Sequence, residues 1–219
     1  MQQLFDYFKA RQNFYQFLQL LFFEPISKHV IIHLKDNGNL EELKALDEAG
    51  ALLYQFFDQA TDADLLVQKE EFHRLFTGPE TILAPPWESV YRSKEGLLFE
   101  ETTYQVRELY HQYGLKFVGE NNEPDDHIAI ELEFLLYLND LTLAQTNDEK
   151  LEKLLEQQIY FLEQHMQQWI PAFCEKILKN TDSSLYKGAA LLLLDFMQSD
   201  YESIIEIKEA FASWQIKSH

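Results

Sequence analysis

One cysteine, seven glycines and six prolines are few for a chain of 219 residues, and each shortage excludes something. With Cys174 alone, neither an internal disulfide nor a cysteine-cluster metal site can form, and the chain suits a reducing compartment. Sparse Gly and Pro, beside long stretches rich in Leu, Glu and Gln, point to helices. Basic residues are scarce too: 18 Lys and Arg against 37 Asp and Glu give a formal net charge of −19. Phosphate binding draws on clustered Lys and Arg, which speaks against nucleic acid as a partner. Such acidity keeps a protein soluble and can also steer in a basic partner, an attraction that salt screens. Long uninterrupted apolar runs are missing. The N-terminal MQQLFDYFKARQNFYQFLQLLFFEP is broken by Gln, Asp, Lys and Arg, so it reads neither as a signal peptide nor as a membrane span. A GxSxG elbow, a Walker-type glycine loop and an HExxH pair are absent as well.

What is present is a core. The chain is 46% hydrophobic and 14% aromatic, enough to fill one all-helical domain spanning 1–219. Periodicity predicts helices over 3–23, ended by Pro25, and then near 26–35, 40–58 and 62–76. Residues 77–100, with Pro79, Pro85 and Pro86, read as a long ordered loop, the kind that is commonly functional. It divides the chain into helical halves of about 1–76 and 101–219. Helices follow over 101–113, 123–143 and 148–169, then near 183–198 and 200–214, with Pro171 expected to kink or break the run. The fold class is therefore all-α, a compact bundle of roughly ten helices.

The segment NNEPDDHIAIELEF, 121–134, sets a proline, two aspartates and a histidine before an apolar run. As helix grammar it is sound: Pro124 suits the first helical position, and acidic side chains complement the positive end of the dipole. His127 and Glu131, four apart, could pair on one face. A metal-dependent hydrolase using Asp126, His127 and Glu131 is the chemical alternative, though it needs further converging ligands. The third reading is a binding surface whose exposed carboxylates meet a basic ligand. Trp87 admits two readings as well, a buried loop anchor or, with Tyr91, the wall of an apolar groove. His165 and its neighbours Phe161, Trp169 and Phe173 read as core.

Three motifs in order, LFTGPETILAPPWESVY, NEPDDHIAIEL and FLEQHMQQWIPAF, resemble the TorD/DmsD family of redox-enzyme maturation chaperones over residues 72–173. The Gly-Pro…Pro-Pro-Trp-x-Ser-Val loop looks most like the DmsD branch. A departure follows LLF, where Glu100-Glu101-Thr102 stands and a small residue such as Gly is expected first. The resemblance implies a cytoplasmic, non-catalytic chaperone needing no cofactor or metal. Its expected partner is the twin-arginine signal peptide of a molybdopterin-containing reductase precursor of the dimethyl sulfoxide or trimethylamine oxide type, held until cofactor insertion and then released for export. The expected peptide-binding residues are Phe76, Pro86, Trp87, Tyr91, Pro124, Asp126, His127 and Glu131. The expected state is a monomer, with exchange of helical halves across 77–100 as a route to a dimer.

Overall fold

A computed structural model describes residues 2–36, 39–120 and 123–218, and these form eleven α-helices and no named strand. In order they are α1 (Gln2–Phe23), α2 (Lys28–Asp36), α3 (Asn39–Glu42), α4 (Glu48–Gln59), α5 (Asp62–Phe72), α6 (Glu88–Arg92), α7 (Glu101–Gln112), α8 (Ile128–Ala144), α9 (Asp148–Phe161), α10 (Gln167–Asn180) and α11 (Ser184–Ser218). The all-α expectation holds. Among the described residues no helix is long and apolar enough to cross a membrane.

The helices gather into two compact units, each built from separated stretches of chain. One comprises residues 1–19, 87–169 and 196–219; the other comprises 20–86 and 170–195. In the first, α8 is buried on several faces, with Ile128, Leu132, Phe134, Leu135 and Leu138 enclosed. That is the fate expected of a helix apolar nearly all round. Phe134 meets Tyr110 of α7 and Phe161 of α9, both at ring-centroid distances of 4.9 Å.

A polar knot also lies inside this unit. Arg11 on α1 donates to Asp200 on α11 through Nε at 2.6 Å and Nη2 at 2.9 Å. Tyr15 donates to the same carboxylate, and Arg11 also reaches Asn139 on α8 and Gln158 on α9. Four helices are thus joined by one buried cation. A buried ion pair survives only with partners for its remaining donors and lone pairs, and here they are supplied.

In the second unit Phe22, Phe72, Phe76, Phe173 and Tyr186 form an aromatic cluster, with Phe76 touching the other four. The α5 helix opens on a full capping box, Thr61 accepting from Asp64 N while Asp64 accepts from Thr61 N.

Several elements differ from the sequence expectation. The 40–58 helix is divided into α3, a 3₁₀ turn at Leu43–Ala45 and α4. Leu46 is extended, and a Cβ on Gly50 would sit 2.1 Å from the Leu43 carbonyl, so glycine alone lets the turn fold back onto α4. Residues 77–100 are not wholly loop, since α6 stands among them. Pro171 lies within α10 without ending it. A π-helical turn at Leu162–Met166 precedes it, and the carbonyl that proline leaves without a donor belongs to Gln167, at the junction where the α-helix restarts. The expected pair of C-terminal helices is one helix, α11. It runs unbroken through Ser199, where the two were expected to part, and its Asp200 turns inward to Arg11.

Candidate functional site

The segment before α8 does not begin the helix. Helix α8 starts at Ile128 with His127 as its N-cap, the imidazole Nδ1 accepting from Ala129 N at 3.1 Å. Pro124 is therefore not the first helical residue but part of a buried approach to it. Asp125 and Asp126 are outside the first turn too, and both are fully buried. Asp125 holds Arg107 of α7 through a paired contact. Asp126 Oδ2 accepts from Ser89 N at 2.6 Å, and Oδ1 accepts from the Thr103 hydroxyl at 2.9 Å. The expectation of exposed carboxylates is thus corrected. These side chains satisfy buried donors, because an amide such as Ser89 N–H cannot be left unpaired cheaply inside a protein.

The same contacts fix α6. Glu88 N donates to Asp126 O at 3.0 Å, and Trp87 forms an antiparallel backbone bridge with His127. The Trp87 and His127 rings lie edge to face, and both residues are half-buried. Tyr91, also half-buried, packs against Trp169, whose indole Nε1 donates to Glu131 Oε2 at 3.0 Å. Glu131 is therefore committed to Trp169 rather than to the pairing with His127 that the spacing suggested. Six of the expected residues, Trp87, Tyr91, Pro124, Asp126, His127 and Glu131, belong to one unit. Phe76 and Pro86 belong to the other unit, where both are buried.

Burial sets the electrostatics. It raises the Asp126 carboxyl, against the lowering effect of its Ser89 and Thr103 hydrogen bonds. It holds Glu131 well above the usual carboxylate range, with the charges of Glu88 and Asp126 adding to the effect. It lowers His127 to about 4, so the imidazole is neutral at physiological pH. Among the described residues no group of three His, Cys, Asp or Glu side chains could hold a metal ion. Both oxygens of Asp126, Nδ1 of His127 and Oε2 of Glu131 already accept from protein donors, which does not favour the hydrolase alternative.

Sequence reasoning did not find Glu88 or the neighbouring cavity. A polar cavity of about 490 Å³ is lined by Arg92, Ser93, Lys94, Glu95, Glu100, Glu101, Thr102 and Gln105. Arg92 is engaged by Glu88 Oε1 and by the Gln164 carbonyl. In the same loop Leu97 and Leu98 are 50% and 41% exposed. The signal was present in the sequence as two leucines between charged residues, a pattern that a loop does not ordinarily need.

Comparison with known proteins follows the same direction. The profile of the family described as nitrate reductase delta subunit matches residues 40–175. The chaperone protein TorD of Vibrio cholerae is 33% identical, over 94% of this chain and 97% of that one. A Haemophilus influenzae protein described as a Tat proofreading chaperone, DmsD, is 31% identical over 59% of this chain and 58% of that one. The chain belongs to the TorD/DmsD family of redox-enzyme maturation chaperones. The family consists of chaperones and not enzymes. An Archaeoglobus fulgidus structure described as a redox enzyme maturation protein shares the fold, with a TM-score of 0.53 and 23% identity over 86% of this chain and 93% of that one.

Proposed function

We propose that this chaperone binds the twin-arginine signal peptide of a molybdopterin-containing reductase precursor in the cytoplasm. It acts as a monomer and holds the precursor until its cofactor is inserted. The carrying observation is the face of α6 and α7 with the loop between them, where Glu95, Glu100 and Glu101 line a cavity beside exposed Leu97 and Leu98. A peptide with a basic start and a moderately apolar continuation finds acidic and apolar complements there. The half-buried rings of Trp87, Tyr91 and His127 extend the contact surface. A neutral His127 adds no repulsion toward arginine. Pro124, Asp126 and Glu131 act behind this surface by holding α6 in place, while Phe76 and Pro86 belong to the other unit.

Calorimetry with a synthetic twin-arginine peptide tests the reading. Binding is expected to weaken as ionic strength rises and to fall when Glu95, Glu100 and Glu101 are together replaced by Gln. Affinity indifferent to both changes would remove the acidic cavity from the reading. Recovery of a molybdoenzyme precursor with the native chaperone, identified by mass spectrometry, tests the client.

A further inference from the structure

Helices α6 and α8 meet through two wholly buried carboxyl groups, Glu88 and Glu131. Both oxygens of Glu88 are served by donors: Oε1 by Arg92 Nη1 at 2.6 Å and Oε2 by His165 Nδ1 at 2.9 Å. Glu131 Oε2 is served by the Trp169 indole, whereas Glu131 Oε1 is enclosed with no donor at all. Glu88 lies within hydrogen-bonding reach of Glu131. Two ionised carboxylates in that position would repel with nothing to share, and an orphaned buried acceptor is costly.

The surroundings decide where a proton goes. Asp126 adds negative charge from the segment ahead of α8, while burial holds the Tyr110 hydroxyl of α7 well above its ordinary range, so it stays neutral. Arg107 is taken up by Asp125, and Arg92 and His165 face Glu88. His127, four residues earlier on the α8 side, is neutral at physiological pH. Among the described residues Glu131 makes no ion pair.

We propose that Glu131 is protonated and donates from Oε1 to Glu88, and that this shared proton is the latch that positions α6 with its Trp87 and Tyr91 rings. Glu131 is thus a positioning residue of the binding face. Tyr91 packs at a tilt on Trp169, Trp169 bonds Glu131 and Glu131 bonds Glu88, so the latch closes a ring of contacts from α6 back to α6. The positioning role rests on the peptide-binding reading; the proton does not.

A proton retained by the folded state alone has a definite signature. An unfolded glutamate releases it above about pH 4.3. From there the Glu131 contribution to the folding constant falls by up to about tenfold per pH unit, and it levels off once Glu131 ionises in the folded protein. Glu131→Gln carries an amide N–H in place of the proton and keeps an acceptor for Trp169, yet does not titrate. Denaturant unfolding of the full chain and of E131Q between about pH 5 and pH 9 gives the ratio of the E131Q folding constant to the wild-type one. That ratio is expected to rise with pH, and a flat ratio overturns the proton.

Should E131Q fail to fold, infrared spectroscopy of the wild type labelled with ¹³C-glutamate supplies the second reading. A protonated-carboxyl band is expected to persist at about pH 8, and its absence overturns the proposal. Calorimetry with the twin-arginine peptide then tests positioning, with E131Q expected within about twofold of wild type and Glu131→Ala weaker by tenfold or more. Equal binding by all three refutes positioning. A rising stability ratio with no peptide bound by any of them keeps the proton and sinks the ligand reading instead.

Discussion

Trp87 and His127 face one another across an antiparallel backbone bridge, their rings 5.5 Å apart at an interplanar angle of 74°. The bridge is made by main-chain groups, so it persists when either side chain is changed. Both residues, by contrast, keep a minor part of their surface exposed.

Trp87→Ala is accordingly expected to weaken twin-arginine peptide binding by about 1–3 kcal/mol, the range for an aromatic anchor. The stability cost should stay below the roughly 3–5 kcal/mol of truncating a wholly buried aromatic. Calorimetry and far-ultraviolet circular dichroism on one preparation measure both. Loss of helix content with the substitution would make Trp87 a core anchor and nothing more.

His127 gives the site an acid sensitivity. Its folded pKa of about 4 lies below the ordinary value of about 6.5. Between those limits the unfolded chain takes up a proton that the folded chain refuses. Its stabilising contribution is complete above about pH 6.5 and is lost as pH falls toward 4, amounting to at most about 3 kcal/mol. His127→Asn retains a capping acceptor without the titration. The stability difference between the two chains should change across that window and stay constant above it. A constant difference throughout would show that His127 titrates normally.

The all-α architecture was legible because helical periodicity is local: the apolar faces of α8 and α9 repeat every three or four residues whatever they pack against. The ends were less legible where a tertiary partner overrode local grammar. Glu123-Pro124-Asp125-Asp126 reads as a first turn, yet Ser89, Thr103 and Arg107 draw its carboxylates away and move the start to Ile128. The break expected near Ser199 does not occur, and Asp200 is taken up by Arg11, 189 residues away. The candidate segment was marked in the sequence by Trp87, Tyr91 and His127. The Glu88–Glu131 contact was not, because two like-charged residues distant in sequence give no pattern until folding joins them.

Arg11 offers a direct test of such long-range pairing. Arg11→Met leaves Asp200 buried without its cation and strips partners from Asn139 and Gln158. The expected loss is about 3–5 kcal/mol in denaturant unfolding, the cost of leaving one member of a buried pair. Adding Asp200→Leu should restore a large part of it, since the penalty arises from the abandoned charge more than from the absent bond. If the double variant is no more stable than Arg11→Met, the pair is not the source of the loss.

Asp126 separates a carboxylate that touches the peptide from one that holds the surface in place. It is fully buried, and both oxygens accept from protein donors, Ser89 N and the Thr103 hydroxyl. Asparagine can satisfy the same geometry: its oxygen takes the Ser89 amide, and its NH₂ faces a hydroxyl that can rotate to accept. Asp126→Asn is therefore expected to cost about 1 kcal/mol or less and to bind the twin-arginine peptide within about threefold of wild type. Asp126→Ala abandons the buried Ser89 N–H, costs about 1–3 kcal/mol, and weakens peptide binding because α6 loses its anchor. Unfolding and calorimetry on the same samples distinguish the cases. A tenfold loss of affinity in Asp126→Asn at undiminished stability would mean that the charge itself meets the peptide, and that the segment opens when the ligand arrives.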